Sequence, residues 1–299
     1  MAVYDCFTFF NELDLLKIRL EQYHKIVDKF VIVECAFTQK GEKKEFNFEK
    51  NKTLFSEFID KIIYIKVESV PAYKKTKDDV DWSIENFQRN AILRGLADCT
   101  DDDLIIISDL DEFIKPSVLK NLSEQPVIPC NNSYGNAKDY IKQFAELLLH
   151  SKKLLHKKNA RTYLDYMPIA VEQEPHPFFM NAKEDFKWYG TVITKYKNLC
   201  LPQNLRDRRN CLPYIQNAGY HFSYMGGAGN IVKKLQAITE GGKLKLPDSE
   251  TVEEFVENCL KSGIDIWNPQ NRFYKVSIDE IELSDMENIR NEYPQFFLK

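Results

Sequence analysis

The segment Asp103-Leu-Ile-Ile-Ile-Ser-Asp-Leu-Asp-Glu112 constrains this chain more than any other. The run Leu104 to Ile107 is aliphatic on every residue, as expected of a strand covered on both faces. It ends in two carboxylates one residue apart, Asp109 and Asp111. Residues i and i+2 of an extended chain share a face, so the strand end would present two hard oxygen ligands side by side. In open α/β sheets the carboxyl ends of the strands are where ligands bind. Carboxylates combined with substrate phosphates suit Mg²⁺ or Mn²⁺. The pattern by itself leaves open a plainer alternative, a strand followed by a solvated acidic turn.

The flanking pattern supports the strand. Val3 to Phe9, Lys29 to Glu34 and Lys61 to Val67 read as further strands. Between them lie an amphipathic helix from Glu12 to His24, a polar loop from Thr38 to Asn51 and a short helix from Phe55 to Ile59. Lys74 to Asp81 reads as a charged loop and lid candidate, and Ile84 to Leu96 as a helix. This alternation predicts an α/β fold of three layers with a mostly parallel central sheet. Pro116 suits the first turn of a helix over Ser117 to Leu122. Asn131 to Gly135 is a polar break before a basic amphipathic helix, Lys138 to Lys157, read as packed on one face and solvated on the other. That basic face leaves peripheral membrane contact open. Arg161 to Val171 and Gly190 to Tyr196 read as later strands, and Ile231 to Glu240 and Thr251 to Leu260 as helices. The domain reading is a catalytic unit over 1–228 with a helical extension, 229–299, packed on it.

Composition narrows the function classes. A formal charge of −4 over 299 residues argues against a nucleic-acid binder. No apolar run approaches the about 18 residues of a membrane span, and the start shows no secretory pattern. The seven cysteines form no close pair, so the expectation is reduced thiols in the cytoplasm and neither a zinc site nor a disulfide framework. Oligomeric state leaves no mark on the sequence.

Several stretches, taken together, resemble one family. Tyr4-Asp-Cys-Phe-Thr-Phe-Phe-Asn-Glu-Leu-Asp-Leu-Leu16 and Val27-Asp-Lys-Phe-Val-Ile-Val-Glu34 are similar to the opening of glycosyltransferase family 17. Gln88-Arg-Asn-Ala-Ile-Leu-Arg-Gly-Leu96, leading into Ile107-Ser-Asp-Leu-Asp-Glu112, resembles its central block. Trp188-Tyr-Gly-Thr191 and Gly219-Tyr-His-Phe-Ser-Tyr-Met-Gly-Gly227 resemble its later ones, with Tyr220 where the family usually has Trp. The resemblance implies a GT-A-like nucleotide-sugar-binding fold, a divalent metal and inversion at the anomeric carbon. It also implies a UDP-sugar donor, UDP-N-acetylglucosamine by preference, and a glycan acceptor.

Roles follow from the resemblance. Asp111 is expected to bind the metal directly, and Asp109 to meet the metal or the ribose. Glu112 is a weaker rival because it faces away on an extended chain. His221 is expected on the same metal, neutral imidazole being a competent ligand for Mn²⁺. Gly226 would let backbone approach a phosphate. Arg89 and Asn90 are expected at the diphosphate or the nucleoside, and Glu34 at the nucleoside. Arg206, Asp207, Arg208 and Arg209 could meet a diphosphate, although a solvated loop suits at least two of those arginines. Direct inversion needs a base, for which Asp185 is the first choice and Glu184 the second. Trp188 could stack on a sugar or sit in the core. Two alternatives stand beside the transferase. One is a non-catalytic glycan or nucleotide-sugar binder. The other is a sugar nucleotidyltransferase, which would normally carry a glycine-rich phosphate loop, and Phe7 to Asp14 holds no glycine.

Overall fold

The computed structural model describes residues 1–72, 81–129, 159–247 and 250–299. The expected break at Asn131 to Gly135, the basic helix Lys138 to Lys157 and all but Asp81 of the charged loop fall outside these residues. Within them the strands are β1 (Val3–Phe9), β2 (Lys29–Cys35), β3 (Ile62–Val67), β4 (Leu104–Asp109), β5 (Glu112–Ile114), β6 (Ile169–Pro175), β7 (Ala182–Lys183), β8 (Trp188–Lys195), β9 (Tyr214–His221) and β10 (Tyr274–Lys275). Eight of them form one sheet in the order β3-β2-β1-β4-β8-β6-β9-β5, and β7 pairs with β10. The half β3-β2-β1-β4 is parallel throughout. Beyond β4 the pairings are mixed: β8 and β5 run antiparallel to their neighbours, while β6 and β9 are parallel.

The parallel half has two covered faces. Phe7, Phe9, Phe30, Ile32, Leu104 and Ile106 point into one core with the helix Leu13–Tyr23 and a C-terminal stretch including Ile289 and Phe296. Cys6, Val31, Val33, Ile105 and Ile107 point into the other, beneath Ile84, Ile92 and Leu205. The three-layer α/β expectation therefore holds. A third cluster, built from Phe178, Ile231, Leu235, Val256 and Phe273, seats the helices Gly227–Ala237 and Val252–Ser262.

Chain connectivity forces the sheet to curl. Strands β4 and β5 are joined only by Leu110 and Asp111, yet β8, β6 and β9 lie between them. Two residues bridge at most about 10 Å, whereas four strand spacings in a flat sheet would be about 19 Å. The far half must bend until β5 returns beside the end of β4. That bend brings β9, which pairs Glu112 with His221, to the acidic turn.

Some sequence expectations shift. Arg161 to Val171 is not one strand: Asn159 accepts the Thr162 N–H at 3.2 Å and caps a helix, Ala160–Leu164, before β6 begins at Ile169. The helix expected over Ile84 to Leu96 is α-helical only over Ser83–Asn90 and tightens to 3₁₀ over Ala91–Gly95. Strand β9 was not expected at all. Its Asn217 and Gly219 are poor strand formers, and the pairing with β6 and β5 overrides them.

Gly190 shows how closely the curled half packs. A Cβ there would land within contact distance of the Glu112 carboxylate and the Trp188 indole nitrogen. Gly190→Ala should cost about 1–3 kcal/mol through overpacking, read from urea denaturation. A neutral effect would contradict this packing.

Candidate active site

The acidic turn is organised from behind by Arg19. This arginine follows Leu16 and precedes Tyr23 on the buried stripe of the first helix. Its guanidinium pairs with Asp5, Nε to Oδ2 at 2.8 Å and Nη2 to Oδ1 at 2.7 Å. It also donates to the carbonyls of Asp109 (3.3 Å), Leu110 (3.0 Å) and Glu112 (2.6 Å), and to Ser108 Oγ (2.7 Å). The turn backbone thus gains partners that the sheet ladder does not supply.

Asp109 and Asp111 both line one cavity of about 860 Å³, a volume typical of small-molecule sites. They do not reach it as i and i+2 of one extended strand. Strand β4 ends at Asp109, and Asp111 sits in the turn before β5. Their surroundings differ accordingly. Asp109 shares a sheet face with Thr8, its register partner on β1. Its Oδ1 accepts from Arg89 at 2.7 Å and its Oδ2 from Arg206 at 2.7 Å. Burial would raise this carboxyl, but the charges of Arg89 and Arg206 outweigh burial and hold it well below the carboxylate range. With both oxygens so engaged, Asp109 is poorly disposed to bind a metal directly.

Asp111 is held at one oxygen only. Lys234 Nζ donates to Oδ2 at 2.9 Å, while Oδ1 lies 3.7 Å from His221 Nε2. Burial pushes the Asp111 carboxyl up, and Lys234 and His221 more than reverse it, leaving a net lowering. The His221 ring stacks on Trp188, with centroids 4.6 Å apart and planes at 16°. Arg209 lies over the same indole at 5.6 Å, and the indole N–H donates to Glu112 at 2.9 Å. Trp188 is therefore packed against His221 and Arg209 and is no open platform for a sugar. Glu112 is fully buried and bound to Arg206 and the Asp109 N–H, which leaves it no place as a metal ligand.

Glu184 also lines the cavity. Its backbone N–H donates to the Pro175 carbonyl at 3.1 Å, and Pro175 is the register partner of His221. The residue is 4 % exposed, and its buried Oε1 has no hydrogen-bond partner. Burial first, and Asp265 second, push this carboxyl up to about 7. Asp185, the preferred base from sequence, is exposed, accepts from Tyr274 Oη at 2.6 Å and does not line the cavity. Consecutive residues leaving β7 point apart, so Glu184 takes the inner position.

Three further expectations meet a different environment. Glu34 lies opposite Phe9 on β2 and so faces the other side of the sheet from Thr8 and Asp109. Its carboxylate accepts from Lys44 (2.7 Å), the Asn47 and Phe48 N–H groups (2.6 and 3.0 Å) and Tyr64 (2.8 Å), and it does not line the cavity. Asn90 is also outside the lining and accepts the Gln203 N–H at 3.0 Å, tying two helices together. Gly226 has φ +99°, the left-handed region, and turns the chain into the helix that carries Lys234; it too is absent from the lining. Arg89 does line the cavity, with its guanidinium on Glu85, Gln203 and Asp109.

Arg19, Lys234 and Asp265 carry no expectation from the sequence, and Arg206 belongs to a cluster able to meet a diphosphate in which a solvated loop suits at least two arginines. Arg206 is instead buried on the helix Pro202–Asp207, bridging Asp109 and Glu112. For Arg19 a signal was present, since it falls at helical spacing between apolar residues. Arg19→Lys cannot keep the forked contacts. It should lose about 3–5 kcal/mol, the usual consequence of breaking a buried ion pair, measured as a fall in urea midpoint. Unchanged stability would refute this role for the guanidinium.

The sequence matches glycosyltransferase family 17 over residues 1–151, half of its length. The human beta-1,4-mannosyl-glycoprotein 4-beta-N-acetylglucosaminyltransferase is 28% identical over 109 residues, which is 34% of this chain and 20% of that protein. The mouse protein of the same name is 27% identical over 109 residues, with the same coverage. The match thus spans about a fifth of the length of these relatives. Among solved structures, glucosyl-3-phosphoglycerate synthase from Mycobacterium tuberculosis, in complex with Mn²⁺, UDP and phosphoglyceric acid, aligns with a TM-score of 0.28 and 12% identity, covering 97% of this chain and 91% of that one. With the family matched across half its residues, the chain belongs to glycosyltransferase family 17.

Proposed function

We propose that this chain is a metal-assisted, inverting glycosyltransferase that moves N-acetylglucosamine from UDP-N-acetylglucosamine to a hydroxyl of a glycan acceptor. The observation that carries the reading is the meeting, in one cavity, of Asp111, His221 and the unpartnered Glu184 carboxylate. Family membership supports glycosyl transfer, and the names of the relatives support the donor sugar.

The side chains present fit a divalent ion at one position. Asp111 Oδ1 and His221 Nε2, 3.7 Å apart, are too distant for a hydrogen bond. That spacing suits two ligands of one ion at about 2.1 Å each. Carboxylate with imidazole is a donor set that Mn²⁺ accepts, and Mg²⁺ less readily. No group of three or more His, Cys, Asp or Glu side chains able to hold a metal occurs among the described residues. Donor phosphates and water would therefore complete the coordination. Such an ion, when bound, offsets the negative charge that gathers on the departing diphosphate.

The chain's own residues account for the rest. Arg209 lies beside Arg206, and burial together with that neighbour lowers its pKa. Arg209 lines the cavity, where a diphosphate would offset this crowding of positive charge, so it is the diphosphate contact in this reading. Glu184 serves as base. The acceptor oxygen attacks the anomeric carbon, the bond to the diphosphate breaks, and the hydroxyl proton passes to a Glu184 carboxylate oxygen. One displacement of this kind inverts the anomeric centre.

Thermal shift with a panel of nucleotide sugars tests the donor, because a ligand that binds only the folded state must raise Tm. UDP-N-acetylglucosamine with Mn²⁺ should raise it, and EDTA should abolish the effect. Asp111→Asn should remove the metal-dependent part while the protein stays folded. Glu184→Gln should keep donor binding and cut turnover by about 10²–10⁴. Wild-type turnover in either variant would refute the assignment. In the wild type, activity should rise with pH through about 7 as Glu184 loses its proton. Asp265→Asn removes a like charge that raises this carboxyl, so the midpoint should move to lower pH. An unmoved midpoint would exclude Glu184 as the group being titrated.

A further inference from the structure

We infer that the cavity wall formed by Glu184, Phe186, Tyr224, Asp265 and Trp267 is the acceptor subsite, and that it takes an uncharged saccharide and discriminates against anionic ones. This rests on the transferase reading above and adds the acceptor's chemical class and the residues that read it. All five residues line the cavity, and all lie beyond residues 1–151, the stretch matched by the family.

Three properties of the wall point to a polyhydroxylated ligand. It presents aromatic surface held in place. The Trp267 indole N–H donates to Tyr224 Oη at 3.1 Å, and the Trp267 backbone N–H donates to Asp265 Oδ1 at 2.8 Å. Phe186 is 45% exposed, a large apolar side chain left in contact with solvent at the cavity. Aromatic faces of this kind pack against the C–H faces of sugar rings.

Next, the wall offers acceptors without donors. Glu184 Oε1 is buried and unpartnered. Asp265 Oδ1 takes the N–H groups of Trp267 and Asn268 at 2.8 and 2.6 Å, while its Oδ2 takes no hydrogen bond from the described residues. Leaving the buried Glu184 Oε1 without a partner is costly, and a ligand hydroxyl would supply the missing donor. Finally, the wall carries negative charge: the cations Arg89, Arg206 and Arg209 stand at the acidic turn, and Lys234, over the Tyr224 ring at 5.2 Å, is already paired with Asp111 and Glu12. An anionic acceptor would meet Glu184 and Asp265 at short range. A neutral sugar would set its hydroxyls on them, one of these beside Glu184, which would accept its proton.

The test uses matched probes and needs no turnover. Saturation-transfer NMR on the full chain, with Mn²⁺ and UDP replaced by Mg²⁺ and UDP to avoid paramagnetic loss, compares methyl glucoside with methyl glucuronide and methyl mannoside with its phosphate ester. The neutral member of each pair should bind, and the anionic member should bind at least about tenfold more weakly. Trp267→Ala should weaken the neutral sugar about tenfold, in the range of a central aromatic contact, and Trp267→Phe should restore part of that loss. Tm and the UDP-induced shift of both variants, measured alongside, report on folding and on the nucleotide end.

Absence of binding by either neutral sugar, equal or tighter binding of the anionic partner, or full affinity in Trp267→Ala would each overturn the acceptor assignment. If UDP gives no shift in the wild type, it is the transferase reading that fails. Sugar results against the proposal with a normal UDP shift confine the failure to the acceptor wall.

Discussion

The site depends on one buried guanidinium. Arg19 is neutralised by Asp5 and surrounded by the rings of Phe7, Tyr23 and Phe113 at 4.7, 5.5 and 5.4 Å. It gathers the carbonyls on which the chain reverses between β4 and β5. A turn buried at that point would otherwise leave carbonyl groups without partners, at about 1–3 kcal/mol each. With the turn fixed, Glu112 enters the far edge of the sheet and pairs with His221. Asp5, Arg19 and the acidic turn are thus one unit, though 104 positions separate Asp5 from Asp109 in the sequence.

Around that turn, charges are placed by division of labour. Asp109 and Glu112 hold Arg206, and Asp109 also holds Arg89, so these groups neutralise one another inside the protein. Asp111 keeps an oxygen facing His221, and Lys234 is shared between Asp111 and Glu12 at 2.9 and 3.5 Å. The first carboxylate of the pair acts as a structural hub, and the second is the one available to a ligand. Arg209 lies over the Trp188 indole beside the arginine hub and lines the cavity.

The family match covers only one wall of this arrangement. Arg89, Asp109 and Asp111 lie within residues 1–151, while Glu184, Arg206, His221, Lys234 and Trp267 lie beyond them. The C-terminal segment expected as a packed extension does more than cover a core, since Lys234, Asp265 and Trp267 all reach the cavity. In the proposed reading the donor end draws on Asp111 from the matched half and on Arg209 and His221 from beyond it. The proposed acceptor wall, from Glu184 and Phe186 to Trp267, lies wholly beyond the matched half.

Continuous apolar runs and helical hydrophobic patterns in the first 110 residues determined the strand–helix alternation, the parallel half-sheet and the position of Asp109 at a strand end with Asp111 just beyond it. These are local consequences of side-chain spacing, and the structure carries them with small shifts at the element ends. His221 could be marked by its motif, but its strand could not, because Asn217 and Gly219 argue locally against one. Which of two neighbouring carboxylates faces the cavity, Glu184 or Asp185, depended on how the chain leaves β7. That Glu34 turns away from Asp109 depended on the register of β2 against β1. That Arg19 and Arg206 are buried and Lys234 half-buried depended on which carboxylates the curled sheet brought to them. A charged residue reads as solvated until its partner is known, and the partners here lie far away in sequence. They meet because a two-residue link between β4 and β5 obliges the sheet to close on itself, a constraint that exists only in three dimensions.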